Sequence, residues 1–199
     1  MSTVDTLPVE APDAAWPLVR RFTIAEYHQL ALAGIIGEDE RVELLEGVIV
    51  RMSPQSEPGV RVLVFLTRHL NRTLGDEYQV RPQVPVTLPS SESEPEPDLA
   101  IVRTADAQSR HEHPQRALLA IEVSLTSLRF DRKVKARVYA RAGIPEYWIA
   151  NVDARCGEVF RDPDPASGVY RTMVTVGRDA TLSATAVPGL SVAVGLLFD

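Results

Sequence analysis

Two acids stand in apolar strands, where a carboxylate is expensive. Asp98 opens "DLAIV" and Glu122 lies inside "LLAIEVSLTS"; taking an ionised side chain out of water costs several kcal/mol unless a cation or hydrogen-bond donors meet it. If these strands are neighbours, the two carboxylates converge on one point and repel unless a cation or a shared proton relieves them. Two chemistries answer that need. One is a hard divalent metal such as Mg²⁺, which takes oxygen ligands and uses one or two carboxylates together with water and substrate phosphate. The other is a buried salt bridge to an arginine or lysine.

The segment after Glu122 supplies the cation. Read as a helix at about 100° per residue from Val134, residues 127–142 place Phe130, Val138, Ala142, Leu128 and Tyr139 on one core-facing arc. Asp131 and Lys135 fall inside that arc, whereas Lys133 falls outside. Arg141 is an imperfection in the wheel, and its long stem can carry the charge to solvent. The chain has 19 arginines and two lysines, Lys133 and Lys135, so arginine is its default cation. A desolvated lysine can change its pKa and handle a water proton, which an arginine cannot do near neutral pH. The alternative is a lysine that pairs with Glu122 for stability alone.

These residues need elements to hold them. "TIAEYHQLALAG" carries a Thr23 cap, Glu26 three residues on and a Gly34 stop, the pattern of a short helix. "RVELLEGVIVRMSP" reads as two strands around Glu46-Gly47, and "GVRVLVFLTRHLNRTLG" as a helix lying on a sheet. "YQVRPQVPVTL" suits an edge or a bend because Pro82 and Pro85 interrupt it. An acidic loop, "SSESEPEP", leads into the Asp98 strand, and the apolar "ALLAIEV" reads as a central strand covered on both faces. "EYWIANV", "CGEVFRD" and "GVYRTMVTV" form a closing meander, followed by a packed tail. The order of elements predicts an α/β (α+β) fold, a mixed β-sheet core flanked by helices.

Bulk composition bounds the rest. A chain of 199 residues, 45% hydrophobic and 24% charged, supports one substantial core. The expected organisation is a flexible N-terminal arm over 1–18 and a single domain over 19–199. A formal net charge of −6 argues against a general coat of positive charge for nucleic acid. The single Cys156 excludes an internal disulfide, the acidic start is unlike a secretory signal, and no apolar run reaches the ~20 residues of a membrane span. Together these features predict a cytoplasmic protein.

With Asp98, Glu122 and Lys135 assembled, the pattern resembles the PD-(D/E)XK phosphodiesterase superfamily, and specifically its Uma-two family, grouped with restriction endonucleases. The matching stretches are "RVELLEGVIVRMSP", "QVPVTL", "SEPEPDLAIV", "LLAIEVSLTS", "DRKVKARVYARAGIPEYWI" and "AVPGLSV", which run in order through residues 20–199. The resemblance implies a restriction-endonuclease-like core, with Asp98 and Glu122 as Mg²⁺ ligands (Mn²⁺ a substitute) and Lys135 orienting or activating the attacking water. The lysine has migrated to the helix, since the position two residues after the glutamate is Ser124. Glu43, in "VELLEG", matches a recurrent family acid that reaches the metal directly or through water; otherwise it is a strand-end surface glutamate. Gln83 matches another recurrent position near the site. Gly59 departs from the family at a position that commonly carries histidine, and His69 is a candidate to compensate. His111 and His113, in "HEH", read as solvated loop residues.

The implied activity is metal-dependent endonuclease cleavage of nucleic acid, DNA above all, with Arg129, Arg132, Lys133 and Arg137 as a phosphate-binding cluster. That cluster is otherwise a solvated helix face. Gly59 and the net acidity point instead to a catalytically weak or inactive nuclease-like module that binds DNA or protein. A third reading is an unrelated Mg²⁺-dependent hydrolase of small phosphoesters. A homodimer would let two acidic subunits share one basic groove.

Overall fold

Helix α1, Ile24–Leu32, begins at the expected cap: Thr23 Oγ1 accepts from Glu26 N, and the Glu26 carboxylate accepts from Thr23 N in return. The computed structural model describes residues 20–37, 39–107, 109 and 112–199. The arm expected at 1–18 lies outside the described residues, as does His111. Strands β1, Val42–Leu45, and β2, Val48–Arg51, form the predicted hairpin. Its turn holds Glu46 at φ 49° and Gly47 at φ 77°, the left-handed pair that a two-residue hairpin loop requires. Glycine is needed there for space as well, since a Cβ at 47 would come within 2.6 Å of Arg21 Cβ and 2.9 Å of the Phe22 carbonyl oxygen.

Helix α2, Glu57–Thr73, is capped by Ser56 and buries Val62, Leu63, Leu66 and Leu70. The main sheet follows: β3, Tyr78–Pro82; β4, Leu99–Arg103; β5, Leu119–Ser124; β6, Glu146–Asn151; β7, Cys156–Asp164; and β8, Val169–Val176. These strands lie in sequence order, with β3 and β8 at the edges. Only β5 and β6 run parallel, and a parallel pair needs a crossover. The crossover is the helical segment read from residues 127–142, in three continuous pieces: α3, Leu128–Phe130; a π-helical turn, Asp131–Lys135; and α4, Ala136–Arg141. Strands β9, Thr181–Ser183, and β10, Ser191–Ala193, form a small pair in the packed tail.

The sheet separates two apolar layers. Leu99, Ile101, Leu119, Ile121 and Trp148 pack with α2 and the tail, whereas Ala100, Val102, Ala120, Tyr147 and Ile149 pack with Val138, Tyr139 and Ala140 of α4. Side chains alternate along a strand, so Glu122 shares the α4 face with Ala120. This alternation aims the Glu122 carboxylate at the crossover helix. None of the described helices is long and apolar enough to cross a membrane, and Cys156 is a free, buried thiol.

Candidate active site

Strand pairing brings the two strand acids together. In the β4–β5 ladder Leu99 is opposite Ile121, which sets Asp98 beside Glu122. The junction is stitched by backbone donors: Val123 N donates to Asp98 Oδ2 at 2.7 Å, and Asp98 N donates to Glu122 Oε2 at 3.3 Å. The other Asp98 oxygen, Oδ1, accepts from the Gln55 side-chain amide. Glu122 Oε1 accepts from the Tyr139 hydroxyl at 2.7 Å and lies 3.2 Å from Lys135 Nζ.

Glu43 completes the group from the hairpin. Strand β1 is bridged to the acidic loop, Leu44 against Glu94, and this places the Glu43 carboxylate where Glu96 N donates to its Oε2 at 3.1 Å. The same oxygen lies 2.5 Å from Lys135 Nζ. Glu43 is therefore 3% exposed rather than a surface residue, and Lys135, 4% exposed, is shared between two acids. Asp98, Glu122, Glu43 and Lys135 all line one cavity of about 340 Å³.

The π turn controls how the helix meets this cavity. Bonding from residue i to i+5 widens the turn, and Asp131 and Lys135, at its two ends, both face the cavity from buried positions. Asp131 Oδ2 accepts from Ser127 Oγ at 2.6 Å. Lys133 is exposed on the outer side, as the wheel predicts.

The charges are not balanced. Burial raises the Asp98 and Asp131 pKa values. Burial also lifts Glu122 to about 8 despite the opposing pull of Lys135, with the Asp98 charge adding to the rise. For Lys135, burial works against the ammonium, but Glu122 and Glu43 outweigh it and the pKa is raised. The expected ease of proton loss from Lys135 is thus not a property of this arrangement, because two carboxylates hold the proton in place. The donor set suits a hard cation: Asp98 and Glu122 offer oxygens only, and each keeps lone pairs beyond its present bonds. Among the described residues no three or more His, Cys, Asp or Glu side chains form a metal cage. Two carboxylates with water are the ligand number that Mg²⁺ accepts.

The remaining sequence candidates lie off this cavity. Arg132 makes a two-pronged contact with the buried Glu158 of β7, both bonds 2.7 Å. Arg137 holds Glu46 at 3.0 and 2.7 Å, and Arg141 reaches the same carboxylate. Neither these nor Arg129 and Lys133 line the cavity. Gln83 also stays outside it; its left-handed backbone donates to the Asp98 carbonyl at 3.1 Å, a link to the site through the main chain. Gly59 does line the cavity, at the start of α2. His69 lies along α2, stacked on Phe65 and bonded to the Ser191 carbonyl, and His113 is exposed. Sequence reasoning passed over Gln55, Arg41, Glu96 and the polar role of Tyr139. Only Tyr139 had a signal, since it follows Lys135 by four residues on the buried stripe.

The comparisons agree with this architecture. The Uma2 family, described as "Putative restriction endonuclease", matches residues 24–195. The crystal structure of a protein from Anabaena variabilis, described as "a putative nuclease belonging to DUF820", superposes with a TM-score of 0.67 at 14% identity, covering 89% of this chain and 97% of that one. No curated protein sequence matches. A restriction-endonuclease-like mixed sheet with acids and a lysine converging at the β4–β5 junction, and a match across nearly all the described residues, place this chain in the Uma2 family.

Proposed function

We propose that this protein is a divalent-metal-dependent endonuclease that hydrolyses phosphodiester bonds of nucleic acid, DNA foremost. The observation that carries this reading is the convergence of Asp98, Glu122, Glu43 and Lys135 on one cavity wall. Asp98 and Glu122 would hold Mg²⁺ or Mn²⁺, which when bound neutralises charge on the phosphoryl oxygen and acidifies a water. Lys135 keeps its proton and presents a fixed positive charge that orients the attacking water and meets charge developing on the phosphate. Glu43 positions that ammonium, and Tyr139 fixes the rotamer of Glu122 through its 2.7 Å hydrogen bond. The family description supports a nuclease. The absence of a membrane-crossing helix among the described residues accords with work in the cytoplasm.

The test is incubation of purified protein with plasmid and single-stranded DNA in Mg²⁺, Mn²⁺ or EDTA. Cleavage that needs the cation and disappears in Asp98→Asn is the expected result. Equal cleavage by wild type and Asp98→Asn refutes the assignment. One set of contacts favours a second reading, a weak or inactive nuclease-like module that binds DNA or protein: Arg132, Arg137 and Arg141 are already engaged by internal acids. Binding of DNA without cleavage under any of these conditions selects that reading. A homodimer sharing one groove accords with the acidic net charge, and a monomer mass across the micromolar range excludes it.

A further inference from the structure

Two arginines line the cavity beside the acids and Lys135. Arg41 immediately precedes β1 and Arg51 ends β2, with Met52 N donating to the Arg41 carbonyl at 3.0 Å. Arg41 makes no ion pair among the described residues, and Arg51 has only Glu40, 4.0 Å away, with the arginine side chain 71% exposed. The charge of Arg41 acts on the Glu96 and Asp98 carboxylates of the cavity without closing an ion pair with either, and the exposed Arg51 is open to an anion from outside. Arg132 and Arg137 of the crossover helix are the opposite case, held by the buried Glu158 and half-buried Glu46 carboxylates.

The shape of the site says what kind of anion enters. Glu43, Glu122 and Lys135 are 3%, 6% and 4% exposed, so the chemical groups sit at the bottom of a recess rather than on a face. A recess of about 340 Å³ is at the small end of small-ligand pockets, the scale of one nucleotide. Its lining also includes apolar side chains, Val50, Met52, Leu125 and Phe130. An aromatic and apolar wall next to rim arginines is the combination on which unpaired bases stack while their phosphates are held.

We infer that the cavity takes a single-stranded polynucleotide, one nucleotide entering the recess against Phe130 and Met52 while Arg41 and Arg51 hold the phosphates beside it. This deepens the nuclease reading of the same site. Duplex DNA meets the rim without delivering a phosphate to the recess. The net charge of −6 fits, because a binder with two phosphate contacts needs no basic coat.

The test is fluorescence anisotropy of a labelled oligonucleotide with the full chain in EDTA, as single-stranded DNA, as its duplex and as single-stranded RNA; the tighter single strand identifies the sugar. Single strands should bind at least tenfold tighter than duplex. The Arg41→Ala/Arg51→Ala variant should lose at least tenfold and flatten the dependence of log affinity on log salt by about 1.4, at about 0.7 per phosphate contact. Arg41→Lys/Arg51→Lys should recover most of the binding, which a folding defect would not allow. Duplex binding equal to or tighter than single-strand binding overturns the inference, as does a larger loss from Lys133→Ala than from the rim pair. Absence of binding to every oligonucleotide also overturns it. Binding through the rim without metal-dependent cleavage leaves the inference standing and removes the nuclease reading. Duplex cleavage as fast as single-strand cleavage does the reverse.

Discussion

Lys135 Nζ lies 2.5 Å from Glu43 Oε2, a contact between residues 92 positions apart in sequence. It ties the hairpin to the crossover helix at the floor of the cavity and gives one of the chain's two lysines a partner on each side. The first prediction follows from its geometry. Lys135→Arg replaces a compact charge by a planar fork too large for a 4% exposed position, and should reduce metal-dependent cleavage at least a hundredfold. Lys133→Arg, on the exposed face, should cut within twofold of wild type. Rates on a common oligonucleotide decide it, and the reverse pattern would exchange the roles of the two lysines. Lys135→Met should lower unfolding free energy by about 3–5 kcal/mol, because it leaves the buried Glu43 carboxylate without its cation.

A second prediction concerns the cation. Titration calorimetry should show one Mg²⁺ or Mn²⁺ bound by wild type and none by the Asp98→Asn/Glu122→Gln variant. Identical heats in both proteins would mean that the strand acids serve the Lys135 pair alone.

Proton linkage supplies a third. Burial raises the folded-state pKa of Glu122 from 4.5 to about 8, so the folded protein holds this proton more tightly than the unfolded chain does. In EDTA its contribution to stability is fully present below pH 4.5 and declines as pH rises towards 8. A divalent cation reverses that trend, since it binds the carboxylate only after the proton leaves. Apparent affinity should rise by up to about tenfold per pH unit towards pH 8 and then level off. Melting curves with and without 10 mM Mg²⁺ (a chosen concentration, roughly that of nuclease assays) at about pH 6 and pH 9 check this; a larger thermal shift at the lower pH contradicts it.

Glu46 carries the opposite sign. Burial would raise its pKa, but the hydrogen bonds and charge of Arg137, with Arg141 beside it, outweigh that and hold it below 4.5. Its stabilising contribution is therefore present above pH 4.5 and lost as pH falls through the folded-state pKa. Arg137→Ala should cost about 2 kcal/mol of stability at pH 7, less at pH 4, and leave the cleavage rate of the folded fraction near wild type. A raised KM with unchanged melting would instead return Arg137 to substrate binding.

Much of the site was legible because local patterns carried it. The apolar run "ALLAIEV", broken by Glu122, and the helical stripe of residues 127–142, with Lys135 inside it, each concern one element, and each sets apart a buried charge that needs a partner. The Thr23–Glu26 cap and the Glu46-Gly47 turn were likewise readable, since both are settled within a few residues.

Only the tertiary structure decided where the other charges go. A wheel places Arg132 and Arg137 on an outer face but says nothing of Glu158 and Glu46, which arrive from β7 and from the hairpin turn and claim them. It also assumes a uniform helix, whereas the π turn widens the spacing between Asp131 and Lys135. Gln55 and Arg41 had no periodicity to mark them, because they stand in a loop and at a strand end. The protonation of Lys135 depends on Glu43, brought from 92 residues away. Periodicity reports direction within one element, while ion pairing and pKa depend on which elements meet, and that is fixed by packing of the whole chain.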